Sequence, residues 1–358
     1  MDKNKVQEQA LIELSKHNRC TAAMSMGVGK TILGLKHMVD NYTDVFKALV
    51  VAPKLAIFES WKDDARKFEL DYLLEHIDFT TYLSIGKQSL DYDVVYLDEC
   101  HNLLQSHDKW LSKYKGKIIG LTGTPPKHAT SIKGKMVNKY CPVVYTYITD
   151  EAIDDMILND YRITVHTLDL NRNKTLLVKT KSGSWYASEL DNYRYWTKRL
   201  MNATSGKEKQ IVSVMRMKAM MEYPSKEILA KRLMDESTDK TLVFANTQEQ
   251  ADRLCTYSYH SNNPESEDNL QQFKEGNISE LSCVLQLNEG VNIPILKHGI
   301  ILHSYGNERK LRQRLGRLLR LNPDDTAIVD ILCYKDTIDE TWVTQALEDL
   351  DQNKIKWI

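Results

Sequence analysis

Long apolar runs are absent from this 358-residue sequence. The longest apolar stretches, such as Ala48–Ala52 and Leu55–Phe58 on either side of Pro53-Lys54, fall far short of the roughly 20 residues a membrane-spanning helix needs. The opening residues MDKNKVQEQ are polar and lack the apolar core of a secretory signal. No charge sign dominates: 48 Lys and Arg face 49 Asp and Glu, a formal net charge of −1. That excludes a polybasic binder, and any grip on a polyanion must come from a locally basic surface. Paired cysteines are missing too. Cys20, Cys100, Cys141, Cys255, Cys283 and Cys333 are scattered with no C-x-x-C, which argues against a disulfide framework or a zinc site and predicts reduced, packed thiols. Internal repeats and low-complexity tracts are also absent. What remains is an ordinary globular composition, 42% hydrophobic and 27% charged, over a length that suits two domains. The expected setting is cytoplasmic, with no membrane partner.

Short β-rich runs alternate with amphipathic helical stretches, the pattern of parallel α/β units. Strands are predicted at Thr21–Met24, Ala48–Val51, Val94–Leu97 and Ile118–Leu121, and in the second half at Ile163–Leu168, Leu242–Ala245, Ile300–Leu302 and Ala327–Leu332. Helices are predicted at Thr31–Asp40, Ala56–Phe68, Lys226–Asp235 and Glu308–Leu319, and Asp336–Lys354 reads as one more. The polar joint Thr149–Tyr161 places the domains at 1–158 and 159–358. Within the second, Arg162–Trp185 alternates as two strands around the turn Asn171-Arg172-Asn173. This β-hairpin near 162–186 is expected at a sheet edge rather than as a protrusion.

Three motifs carry chemistry. The first is Met24-Ser-Met-Gly-Val-Gly-Lys-Thr31, between a predicted strand and a predicted helix. Gly27, Val28 and Gly29 let the backbone wrap around phosphates, and the helix start adds N–H groups. Lys30 would neutralise the β- and γ-phosphates and the Thr31 hydroxyl would hold Mg²⁺. The pattern departs from the usual one at Met24, where a small residue is common. The second motif is Asp98-Glu99-Cys100-His101 after the apolar run ending at Leu97. Two acids closing a buried strand need compensation. Asp98 holding Mg²⁺ and Glu99 polarising the attacking water supply it. His101 has no further ligand at metal spacing, so a hydrogen-bonding or coupling role is expected.

The third motif is Gln313-Arg-Leu-Gly-Arg-Leu-Leu-Arg320. On a helix Gln313, Arg317 and Arg320 share a face, while Leu311, Leu315, Leu318 and Leu319 form an apolar stripe. Two guanidiniums presented together suit the charge that builds on a transferring γ-phosphoryl group.

Together these motifs resemble helicase superfamily 2, the nucleic-acid-stimulated ATPases that include the DEAD- and DEAH-box proteins. The resemblance is collinear over nearly the whole chain. Gln7 is similar to the glutamine that reads adenine, MGVGKT to the first motif, and VVAPKLAIFESWKDDARKF to the next, with Pro53 and Lys54 toward nucleic acid. Ser84 resembles a further strand-contacting turn, DECH the second motif, and Thr122-Gly123-Thr124-Pro-Pro the motif that couples hydrolysis to domain movement. Lys240–Ala245 resembles the fourth motif and Leu287–Pro294 the fifth, with Gly290 at the nucleotide and Asn292 where many relatives carry an acid. QRLGRLLR is similar to the sixth. APK…W, TGTPP and EGVNIP lean toward the Swi/Snf-like and phage branch-migrating relatives.

The resemblance implies two tandem RecA-like P-loop domains with parallel sheets flanked by helices and ATP, with Mg²⁺, in the cleft between them. It implies an ATP-dependent DNA helicase or translocase acting on duplex, branched or single-stranded DNA. An RNA helicase and an ATP-gated clamp that does not translocate are the alternatives. The compact length suits a minimal motor of phage or bacterial type, targeted by a recruiting protein or by DNA structure. Basic residues cluster at Lys297, Arg309, Lys310, Arg312 and Arg314, and again at Arg194, Lys198, Arg199, Lys207 and Lys209. Trp185, Tyr186, Tyr193 and Trp196 interleave with the second cluster, and core packing is their expected role over base stacking.

Overall fold

The first half of the chain builds a six-stranded sheet from β1 (Arg19–Met24), β2 (Ala48–Ala52), β3 (Ile77–Thr81), β4 (Val94–Asp98), β5 (Lys117–Thr122) and β6 (Val143–Tyr147). Their order is β3-β2-β4-β5-β1-β6, and every neighbouring pair is parallel. All of β2 is buried because both faces of the sheet are covered. Ala48, Val50 and Ala52 pack with Leu33, Leu35 and Trp61 from the helices Lys30–Asp40 and Ala56–Lys67. Leu49 and Val51 pack on the other side with Met136, Val137 and Tyr140 of the helix Ile132–Tyr140. An unbroken apolar run is what a parallel strand buried on two sides requires. Parallel strands also bring all their carboxyl ends to one edge. The turns after β1, β2, β3, β4 and β5 therefore share that edge, and each carries one of the motifs.

The computed structural model describes residues 2–25, 27–180, 183–284, 296–303, 325–348 and 350–358. The chain forms two compact units, one of residues up to Asp160 and one of most residues from Tyr161 onward. The second contains β7 (Asp160–Leu168), β8 (Leu176–Thr180), β9 (Gly183–Ala187), β10 (Thr241–Phe244), β11 (Ser258–Tyr259), β12 (Glu280–Cys283), β13 (His298–Ile301), β14 (Thr326–Tyr334) and β15 (Ile355–Trp357). Seven of these form a sheet ordered β11-β12-β10-β13-β14-β7-β15, while β8 and β9 form a separate antiparallel pair. Val243, Ala245, Ile300 and Leu302 pack there with Ala230, Met234, Ala251 and Leu254 from covering helices. Both units are thus α/β, with parallel sheets flanked by helices.

Three expectations change. Asn171–Asn173 does not join two paired strands: β7 enters the large sheet beside β15, and the hairpin is β8–β9, beginning at Leu176. The alternation of 162–185 therefore belongs to two different sheets. The C-terminal helix is Ile338–Leu347 rather than Asp336–Lys354. Beyond it Asp351 caps a short turn, and Ile355–Trp357 finds backbone partners along β7 instead of continuing the helix. The helix predicted at 308–319 lies outside the described residues. All six cysteines are buried, and none forms a disulfide. No helix among the described residues is long and apolar enough to cross a membrane.

Candidate active site

The loop after β1 is shaped by its glycines. Gly27 and Gly29 have φ of 90° and 96°, left-handed values that side chains disfavour. At Gly29 a Cβ would also lie 2.5 Å from Gln7 Nε2. Gly29 occupies the N-cap position of the helix Lys30–Asp40 and provides no side-chain cap. The first N–H groups of that helix are thereby left to an anion. Gln7 is buried against the loop: its Nε2 donates to the Val28 carbonyl at 2.9 Å, and Lys36 Nζ donates to its Oε1 at 2.9 Å. Lys30 and Thr31 open the helix, both partly buried.

The acid pair closes β4. Asp98 is 6% exposed, and its Oδ2 accepts the Trp61 indole N–H at 2.8 Å. Tyr82 donates its hydroxyl to the Asp98 carbonyl at 2.9 Å. Burial, and next the charge of Glu99, push the Asp98 carboxyl above the ordinary carboxylate range. Glu99 is displaced the other way. Burial opposes its charge, but Lys30 and His101 outweigh that and hold it below the usual range. Lys30 Nζ lies 3.9 Å from Glu99 Oε1. Glu99 sits at φ 50°, a left-handed conformation uncommon for a residue with a side chain and one that costs on the order of 1 kcal/mol or more.

His101 joins this pair to the turn after β5. It is 4% exposed, and its Nδ1 lies 2.8 Å from Thr122 Oγ1 and 3.2 Å from Glu99 Oε2. Thr122 donates to Glu99 Oε2 at 3.3 Å and accepts the Thr124 N–H at 3.1 Å. With its one hydrogen directed to Glu99, Thr122 is an acceptor for His101, which makes Nδ1 the protonated ring nitrogen. Gly123 adds a backbone N–H toward Glu99. Glu99, His101, Thr122 and Thr124 are thus one hydrogen-bonded unit, drawn from two strands.

The oxygen donors suit Mg²⁺. Asp98 and the Thr31 hydroxyl are hard ligands. Among the described residues no group of three or more His, Cys, Asp or Glu side chains could hold a metal ion. A donor set this small fits an ion that brings waters and phosphate oxygens with it, as Mg²⁺ does.

Pro53 is partly buried and Lys54 exposed in the turn after β2, and Ser84 is partly buried after β3. Its neighbours Leu83 and Ile85, with Tyr82, Trp110 and Lys113, line a cavity of about 530 Å³. That cavity lies apart from the phosphate loop and contains neither acid of the pair. Gly290, Asn292, Gln313, Arg314, Arg317 and Arg320 lie outside the described residues. Lys240–Ala245 coincides with β10, buried throughout from Thr241 to Phe244. Two contacts escaped the sequence reading. Trp61 stands out there only as the tryptophan of its motif and Lys36 not at all, and nothing local ties them to Asp98 or Gln7.

The aromatic expectation holds in part. Core packing was expected for Trp185, Tyr186, Tyr193 and Trp196, yet Trp185 is 52% and Tyr186 62% exposed. Tyr193 and Trp196 are partly buried, and Tyr193 packs on the core cluster of Met220, Tyr223 and Tyr334. Trp185 and Tyr186 lie on β9, which pairs with β8 in a sheet separate from the large one.

Residues 204–322 match the family model of the helicase conserved C-terminal domain, and residues 1–127 match that of the type III restriction enzyme, res subunit. The chain is similar to the DNA 3'-5' translocase XPB2 of Sulfurisphaera tokodaii, 24% identical over 366 residues, covering 91% of this chain and 80% of that protein. Its fold is similar to the ATP-dependent Type ISP restriction-modification enzyme LlaBIII, solved bound to DNA, with a TM-score of 0.64 and 14% identity. That match covers 99% of this chain but 31% of LlaBIII, so the chain spans about a third of that larger enzyme. It is also similar to Dbp5 of S. cerevisiae, solved bound to RNA and ADP BeF3, with a TM-score of 0.61, 14% identity, and 99% of this chain and 89% of that one covered. One fold thus serves a DNA enzyme and an RNA-bound one, and the fold alone does not choose the polymer.

Proposed function

The chain belongs to helicase superfamily 2, and from that premise we propose that it is a DNA-stimulated ATPase that translocates on or remodels duplex or branched DNA. The families it matches hydrolyse ATP, so the chain is an ATP-hydrolysing enzyme. The DNA part of the reading is supported by the kinship with a named DNA translocase. The observation that carries the chemistry is the 3.9 Å approach of Lys30 Nζ to Glu99 Oε1. It joins the phosphate loop to the acid that follows β4, two segments far apart in sequence.

In this reading the loop N–H groups and Lys30 hold the β- and γ-phosphates, and Gln7 contacts the adenine. Thr31 and Asp98 would hold Mg²⁺, which when bound neutralises phosphate charge. Glu99, kept ionised by Lys30 and His101, orients the attacking water and takes its proton as the oxygen reaches the γ-phosphorus. Arg317 and Arg320 would supply further positive charge to the transferring group and Gln313 a neutral hydrogen bond, with Gly290 at the nucleotide. His101, Thr122, Gly123 and Thr124 pass the state of Glu99 to the turn after β5. Pro53, Lys54, Ser84, Asn292 and Arg314 contact the polynucleotide, chiefly at phosphates.

The test is steady-state phosphate release with Mg²⁺ and no nucleic acid, single-stranded DNA, duplex DNA, forked and four-way DNA, or RNA. Glu99→Gln serves as the control. The expected result is stimulation chiefly by duplex or branched DNA. Stimulation chiefly by RNA overturns the polymer, and an equal rate under every condition overturns the motor.

A further inference from the structure

One segment of the second domain is built unlike the rest of the chain. From Leu170 to Met221 there are eleven Lys and Arg against three Asp and Glu, in a chain whose totals are 48 and 49. This segment holds the β8–β9 hairpin and the helices Glu189–Met201 and Gly206–Met221. We propose that it is a second nucleic-acid-binding surface, in which Trp185 and Tyr186 stack on unpaired bases and Arg194, Lys198 and Arg199 hold the adjoining phosphates. The proposal rests on the DNA-motor reading and adds to it a preference for junctions where bases are exposed.

The geometry of the hairpin is the first argument. Val178 pairs with Trp185 and Leu177 with Tyr186 across the two strands. Consecutive strand residues point to opposite faces, so one aromatic stands on each side. Residues 183–186 are all exposed, and Leu177 is 44% exposed opposite Tyr186. Two strands in water are marginal without a layer against them. The base of this hairpin is anchored. Leu176 packs on a cluster containing Tyr223 and Tyr334, and Ala187 is buried. Asn171 donates its N–H to Glu189 at 2.9 Å, and the fully buried Glu189 also accepts from Ser225. The result is a firm root with bare aromatic faces.

The helix that follows supplies the charge. Arg194 and Lys198 are one turn apart, as are Tyr195 and Arg199, and all four are exposed. Only Glu189 of that helix is buried. The Arg199 guanidinium lies 6.0 Å from the Tyr195 ring centre and 5.6 Å from that of Trp196. Exposed rings beside a local excess of guanidinium and ammonium groups complement a chain of bases and phosphates, because every base offers a face and every nucleotide a negative charge. An acidic or purely apolar partner matches only half of that surface.

The experiment measures the affinity of the full chain for a labelled forked DNA with single-stranded arms and for a blunt duplex of equal length, over a salt series. Trp185→Ala/Tyr186→Ala is expected to weaken fork binding roughly tenfold or more, with blunt duplex changed less than about twofold. Lys198→Glu/Arg199→Glu should weaken both DNAs and reduce the slope against log salt by roughly one to two units. Thermal unfolding of each variant checks that the fold is intact. Wild-type fork affinity in the aromatic variant overturns the proposal, as does an equal loss on both DNAs. A change in sedimentation from dimer to monomer in that variant also overturns it, since the rings then cover a second copy. Duplex-stimulated phosphate release is followed in parallel. If it persists in the aromatic variant while fork affinity is unmoved, the motor reading stands and this inference alone falls.

Discussion

Trp61 and Trp185 use the same indole in opposite ways. Trp61 is fully buried between a helix and the first sheet and spends its N–H on Asp98 at 2.8 Å. Trp185 is half exposed on a two-stranded hairpin. The difference comes from layering. Around Trp61 helices cover a parallel sheet, so every polar group at its carboxyl edge must be bonded, and a network forms. Around Trp185 the described residues leave 183–186 exposed, and the aromatic groups face solvent. A buried network gives geometry and shifted ionisation, as at Glu99. A solvated surface gives contact area and charge.

That contrast can be broken by substitution. Lys30→Ala should abolish ATP turnover, and Glu99→Gln should keep nucleotide binding while lowering hydrolysis by roughly 100-fold or more. Phosphate release set beside nucleotide binding checks both, and normal turnover in Glu99→Gln would mean the base lies elsewhere. Next in size, Trp61→Ala should cost about 3–5 kcal/mol in urea unfolding through cavity and lost hydrogen bond. Trp185→Ala should stay within about 0.5 kcal/mol, because exposed rings leave no cavity. Comparable losses at the two positions would erase the distinction between buried and solvated tryptophan.

A smaller effect concerns pH. His37 is 1% exposed, with its Nδ1 2.7 Å from the Tyr96 hydroxyl. Burial, aided by the charge of Lys117, lowers its pKa from 6.5 to about 4. The folded protein holds the neutral ring while the unfolded chain protonates near 6.5. The stabilisation is therefore present above pH 6.5 and is lost as pH falls toward 4. Denaturation at pH 7 and pH 5 should differ by about 2 kcal/mol from this group, and His37→Gln should flatten that slope. The smallest change is expected at Lys198→Ala, within about 0.5 kcal/mol of stability.

How much of this was legible beforehand follows the same division. Strands covered on both faces, such as Ala48–Ala52, announce themselves by continuous apolar residues. The outer strands β3, β6, β11 and β15, all at sheet edges, passed unnoticed. An edge strand pairs on one side only and is partly solvated, so its residues carry no such run; β6 reads exposed or partly buried at four of five positions. The glycine loop and the acid pair were legible as local features, because a tight backbone and two acids after a buried strand stand out in residue type. Trp61 as the donor to Asp98, Lys36 as the donor to Gln7, and His101 with Thr122 beside Glu99 became visible only in three dimensions.

Residue order alone thus marked most of the central strands, though not β12, and set the glycine loop and the two acids at strand ends, since backbone conformation and burial are local demands written into residue type. The tertiary structure decided which side chains meet across strands and which aromatics stay in water. Those outcomes depend on what packs above each residue, and a layer is supplied by segments distant in the chain.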